Sequence, residues 1–175
     1  MVISVRFFFG ATDDATRIKS IPTPAIAAIT PVATPRGAGA QAGSILPPPT
    51  SPWTAQFTST LNPGTNIVTT SLPVLDLNFT SAPFAGLPDN AWSVDAAAGF
   101  ILNPGHYTFG ILHDGELHVY VDNREVASDP DPATARTVDV AFDTKGGVSV
   151  IRIVATDNGG PFQLKFLSTD PKTLT

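Results

Sequence analysis

From Trp92 to Leu102 the even-numbered positions are all apolar: Trp92, Val94, Ala96, Ala98, Phe100 and Leu102. A side-chain period of two belongs to an extended strand with one face against a core, and no helix can satisfy it over this length. The same alternation recurs along the chain. Trp53, Ala55 and Phe57 show it, as do Leu75, Leu77 and Phe79. It returns at Tyr107, Phe109 and Ile111, at Leu117, Val119 and Val121, at Val138, Val140 and Phe142, and at Phe162, Leu164 and Phe166. Val148 to Ala155 is apolar at both parities, which predicts a central strand covered on both faces. Between these runs lie Asn103-Pro-Gly105, His113-Asp-Gly115, Lys145-Gly-Gly147 and Asp157-Asn-Gly-Gly-Pro161. Such residues favour turns, and Asp114-Gly115 reads as a hairpin turn. No window carries a convincing 3.6-residue period. The pattern predicts an all-β chain, an antiparallel β-sandwich over residues 51–175. Trp92, Phe100, Tyr107, Phe109, Val119, Val121, Ile151 and Ile153 are its expected core.

Residues 1–50 differ in character. They hold Pro22, Pro24, Pro31, Pro35, Pro47, Pro48 and Pro49, a spacing that forbids a long helix or a central strand. They read as an extended proline-rich N-terminal arm with one possible strand at residues 2–9. Ile18, Ile21, Ile26, Ile29, Val32, Ile45 and Leu46 are more apolar side chains than a solvated linker carries. An isolated strand with three phenylalanines needs partners for its backbone and its rings. Val2, Ile3, Val5, Phe7, Phe8 and Phe9 are therefore the expected assembly residues, pairing either with a neighbouring subunit's sheet edge or with the chain's own sandwich.

Charge and composition narrow the function. Charged residues make up 14% of the chain and the net charge is −5, so no basic face exists to neutralise phosphates and nucleic acid is not an expected partner. Cysteine is absent, which removes disulfides and thiolate chemistry. The apolar start, Met1 to Phe9, lacks a positive n-region, has Arg6 inside it, and is followed by Asp13 and Asp14. It does not read as a classical signal peptide. The apolar runs are too short to insert in a membrane as helices.

The segment from Trp92 to Val126, taken with its flanks, resembles the PA14 domain family. The matching segments are Trp92-Ser-Val, Gly105-His-Tyr-Thr-Phe109, His113-Asp-Gly115 and Leu117-His-Val-Tyr-Val-Asp-Asn123. Leu75-Asp-Leu-Asn-Phe79 fits an early strand, and Ile151-Arg-Ile-Val-Ala-Thr-Asp-Asn-Gly-Gly160 with Phe162-Gln-Leu-Lys-Phe166 fits the close. The likeness covers roughly residues 70–170. It implies a PA14-like sandwich serving carbohydrate binding, adhesion or assembly rather than catalysis. It also implies that His113, Asp114 and Asn158 occupy a calcium and glycan loop, in which sugar-binding members place two adjacent aspartates and an asparagine. His113 stands at the first aspartate's position. Calcium wants oxygen ligands, so the loop is degenerate and neither calcium nor any other cofactor is expected.

The remaining candidates are weak. His106, His113 and His118 lack the convergence that a zinc site needs, since strand parity sends His113 and His118 to opposite faces. Asp129 and Asp131 sit among prolines and read as a solvated acidic loop. No nucleophile elbow, metalloprotease motif or phosphate loop occurs, so an enzyme is not expected. Two functions remain. The first is a non-enzymatic structural subunit of a large assembly, a phage virion component or a filament, whose partners are copies of itself and other assembly proteins. Its setting is a virion or an extracellular assembly. The alternative is a carbohydrate-binding or adhesion module, whose partner is a glycan.

Overall fold

The computed structural model describes residues 43–65, 67–130 and 134–168. The strand expected at Val2–Phe9, with its assembly residues, lies outside the described residues. The sandwich belongs to a compact unit running from Gly39 to Thr175.

Eleven strands follow in order among the described residues, with no helix. They are β1 (Ser44–Ile45), β2 (Trp53–Ser59), β3 (Val68–Leu72), β4 (Asp76–Phe79), β5 (Trp92–Leu102) and β6 (Gly105–Asp114). Next come β7 (Glu116–Val121), β8 (Arg124–Asp129), β9 (Arg136–Thr144), β10 (Gly147–Asp157) and β11 (Phe162–Leu167). They form two sheets. One has the order β3-β2-β5-β10-β7-β8. The other has β9 on one side of β6, while β11 and the two-residue β1 share its other side and β4 lies beyond β11. All pairings are antiparallel except β1 with β6. The all-β sandwich expected from the alternation is the fold.

The register explains the alternation. β10 pairs with β5 over its whole length, from Gly147 opposite Leu102 to Asp157 opposite Trp92. On its other side it pairs with β7. Every even position of β5 is thereby turned inward, and Trp92, Val94, Ala96 and Phe100 are fully buried. All eight expected core residues are buried. With no cysteine, cohesion rests on packing such as Trp92 against Phe162, centroids 4.6 Å apart, and Trp53 against Phe166 at 5.1 Å. Aromatic pairs in this range add to the burial of their area. Leu46 is 3% exposed, so the core draws on residues upstream of Trp53.

Two expectations fail. β10 is central in its sheet, yet only one face is covered: Val148 and Val150 are 74% and 45% exposed. A two-layer sandwich covers one face of each sheet, and lateral centrality does not bury the other. Asp114-Gly115 is likewise no hairpin, because β6 and β7 belong to different sheets and the chain turns a corner at Gly115. Gly115 has φ +134°, and a Cβ there would stand 2.5 Å from the carbonyl oxygen of Thr156. Only glycine fits so close an approach. Among the described residues, β2–β3 and β7–β8 alone connect as hairpins. The second turns on Asp122 and Asn123, both at positive φ (50° and 64°), as a type I′ turn requires.

Candidate functional site

The β6–β7 corner brings the loop candidates to one end of the sandwich but sorts them to different sides. His113 continues the inward parity of Tyr107, Phe109 and Ile111 and is fully buried. Asp114 is the next residue and faces out. Asn158 is exposed in the β10–β11 turn, and both it and Asp157 are engaged in further interactions. Asp157 accepts from the Gly159 amide at 2.8 Å.

His113 is fixed at both nitrogens. Its Nδ1 lies 2.7 Å from the Gly115 carbonyl oxygen and its Nε2 lies 3.0 Å from Asp129 Oδ2. Arg136 lies opposite His113 in register and donates to the same carboxylate, Nε to Oδ2 at 2.7 Å, with a second contact from Nη2 to Oδ1. The Arg136 guanidinium, with His113 second to it in strength, holds the Asp129 carboxyl below the usual carboxylate range. Both ring nitrogens are thus occupied by oxygen partners within the protein, and neither faces an open ligand position. The calcium ion that the fold family implies does not fit here. Its first ligand position holds an inward-facing imidazole. Among the described residues, no group of three or more His, Asp or Glu side chains could hold a metal ion.

The same geometry corrects the reading of Asp129. It is the last residue of β8, and its side chain is 12% exposed rather than free in an acidic loop. It joins β8 of one sheet to β6 and β9 of the other. Asp131 lies outside the described residues. The other histidines are surface groups. His106 pairs with Asp143 at 2.9 Å. His118 sits on the outer face of the six-stranded sheet between Glu125 (2.8 Å) and Glu116 (3.2 Å). Glu125 is the main cause of its raised pKa. Beside it, Arg152 binds Asp95 through Nε and Nη2 and covers the Tyr120 ring at 5.2 Å from the centroid. The charged groups of this face are paired with one another.

The opposite outer face is different. A half-open depression of about 190 Å³ is lined by Asp76, Leu77, Asn78, Leu112, Gln163 and Lys165. Gln163 lies opposite Asn78 on β4 and Asp114 on β6, while Lys165 lies opposite Asp76 and Leu112. The outward positions of three adjacent strands therefore form two rows, Asn78–Gln163–Asp114 and Asp76–Lys165–Leu112. Lys165 and Asp76 form an ion pair at 2.7 Å. Among the described residues, no hydrogen bond engages the side chains of Asn78, Gln163 or Asp114. Reading the sequence for motifs passes over this site. Its residues are the polar positions of Leu75-Asp-Leu-Asn-Phe79 and Phe162-Gln-Leu-Lys-Phe166, and nothing in either segment says that the two strands are neighbours.

Solved structures share this arrangement of strands. The PA14 domain of the MpAFP antifreeze protein superposes with a TM-score of 0.54 at 12% identity, over 73% of this chain and 86% of that domain. The fold is PA14-like. The same sandwich matches an anti-sigma factor domain-containing protein from Clostridium clariflavum (TM-score 0.57, 17% identity, 72% of this chain). It also matches a beta-glucosidase from Kluyveromyces marxianus solved in complex with glucose (TM-score 0.51, 13% identity, 70% of this chain). The chain spans 45% of the anti-sigma protein and 16% of the glucosidase. At these identities the likeness is one of fold. No protein-family model and no curated protein matches the sequence.

Proposed function

We propose that this PA14-like chain is a non-enzymatic carbohydrate-binding or adhesion module working at an extracellular surface. The observation that carries the reading is the depression over β4, β11 and β6, whose lining amides, Asn78 and Gln163, make no side-chain hydrogen bond among the described residues. Sugars present fixed arrays of hydroxyls, each a donor and an acceptor, and side-chain amides answer both roles. The site is small and mixes polar groups with Leu77 and Leu112, unlike the larger, mostly apolar clefts that enclose cofactors and drug-like ligands. It also lacks a hydrolytic pair. By strand spacing its carboxylates, Asp76 and Asp114, are roughly 12 Å apart, beyond the separations that glycoside hydrolysis uses, and Asp76 is tied to Lys165. The test is a glycan array probed with the labelled full-length protein, with and without a calcium chelator. Binding to defined glycans that survives chelation is expected. Release of reducing sugar from bound oligosaccharides would refute the non-enzymatic reading.

A second reading, the structural subunit with an assembly arm, keeps one observation. Ile101 lies opposite Val148, and with Val150 they expose apolar side chains together on the outer face of the six-stranded sheet. Such a patch suits a contact with another subunit. Nothing in the described residues favours a virion over any other assembly. Sedimentation of the full chain decides: a monomer at micromolar concentration rejects this reading.

A further inference from the structure

We infer that the outer face of β4, β11 and β6 is a calcium-independent recognition site selective for uncharged sugar rings over acidic ones. The inference rests on the carbohydrate reading above and adds the residue rows that a ring would cross and the ligand charge.

Adjacent strands stand about 4.8 Å apart, and alternate residues along a strand about 6.8 Å apart. Three columns and two rows give a footprint of about 10 Å by 7 Å, the scale of one pyranose ring and part of the next. Within it, Asn78 and Gln163 are neighbours across the β4–β11 pair, and Gln163 and Asp114 across the β11–β6 pair. A ring lying along this row meets amide, amide and carboxylate in turn. Leu112 offers the aliphatic contact for the ring's C–H face beside them. The strands fix all of these positions, so little conformational entropy is lost on binding.

On the six-stranded sheet's outer face, Arg152 is committed to Asp95 and His118 to Glu116 and Glu125, so a ligand there must first break those contacts. On the depression's side no hydrogen bond among the described residues engages the side-chain amides, so a sugar hydroxyl need displace only water.

Among the described residues Lys165 is the one cation lining the site, and Asp76 neutralises it. Asp114 closes one row, and Asp139 faces out on β9, opposite Gly110 of β6. The field over the site is therefore negative, and a sugar carboxylate would meet like charge with no free cation to offset it. Nor does the site need an ion, since its groups belong to strands and the corner beside it is held by His113, Asp129 and Arg136.

The test is calorimetric titration of the full-length protein with glucose, galactose, mannose, N-acetylglucosamine and glucuronic acid, followed by the best neutral array hit. Each is run in calcium and in chelator. Asn78→Ala and Gln163→Ala should each weaken neutral binding by roughly 5- to 10-fold, the loss of about one hydrogen bond. Tyr120→Ala on the opposite sheet should leave it unchanged. Asn78 is exposed and Gln163 half-buried, so both variants should keep the parent melting temperature. Neutral binding untouched by both substitutions would overturn this site and leave the carbohydrate reading standing. Binding abolished by chelation, or confined to glucuronic acid, would overturn the ion or charge claim. No binding to any array glycan would overturn the carbohydrate reading itself.

Discussion

Replacing His113 with alanine removes the piece that joins the two sheets at the β6–β7 corner. The hydrogen bond to the ionised Asp129 is worth about 1.5–3 kcal/mol, and the bond to the Gly115 carbonyl about 0.5–1.5 kcal/mol. The imidazole is fully buried, so its loss also leaves a void in a packed interior. The Asp129 carboxylate retains Arg136, which limits the penalty for stranding it. Together these give a loss of about 3–5 kcal/mol, within the range reserved for breaking a buried network. Urea denaturation at neutral pH reads it directly, with His118→Ala as the surface comparison, expected to cost less than about 1 kcal/mol. Calcium should not restore the midpoint of His113→Ala, since a specific ion stabilises only a fold that binds it. A His113→Ala midpoint within about 1 kcal/mol of the parent would show that the ring is a bystander. The account of the corner would then be wrong.

Gly115→Ala should destabilise by about 2–5 kcal/mol, combining a disfavoured positive φ with a Cβ driven against the Thr156 carbonyl; thermal melting checks it. Phe109→Ala should cost about 3–5 kcal/mol in the same assay, because Phe109 is fully buried against Phe142 and Phe166. Asp129 has a lowered folded pKa, so its contribution to stability is full above the unfolded carboxylate value, about 3.9, and is lost as pH falls through the lower folded value. Urea midpoints taken from pH 6 to pH 2.5 should fall less steeply in Asp129→Asn than in the parent. His118 has the opposite sign: its raised pKa gives a contribution present below about pH 6.5 and lost as pH rises through the raised value. Screening at this half-exposed site keeps that contribution under about 1 kcal/mol, and Glu125→Gln should reduce it in the measured pH profile, with Glu116 keeping the remainder.

Most of the fold was legible in the sequence because burial in a two-layer sandwich prints itself as alternation. Trp92 to Leu102 and Leu117 to Val121 are read correctly residue by residue. The connections were not legible. An Asp-Gly pair serves a hairpin or a corner equally well, and only the sheet membership of β6 and β7 tells them apart. The inward turn of His113 follows from the parity of Tyr107, Phe109 and Ile111, so its burial was within reach. Its partners were not, since Asp129 and Arg136 come from later strands. The polar face was hidden for a related reason. Asn78 and Gln163 are neighbours in space and far apart in the chain, and the outward half of an alternating pattern looks like ordinary solvation until the strand order is known.

The central claim is that a sugar lies across β4, β11 and β6, and nitrogen-15 NMR titration tests it most directly. The side-chain amide resonances of Asn78 and Gln163, with the backbone amides of Asp76, Leu112 and Lys165, should shift in a saturable way when a neutral array-selected saccharide is added in the presence of a chelator. The amides of Tyr120 and Arg152 on the opposite sheet should stay in place. Shifts confined to the six-stranded face or to the Asn158 turn, with Asn78 and Gln163 unmoved, would contradict the account.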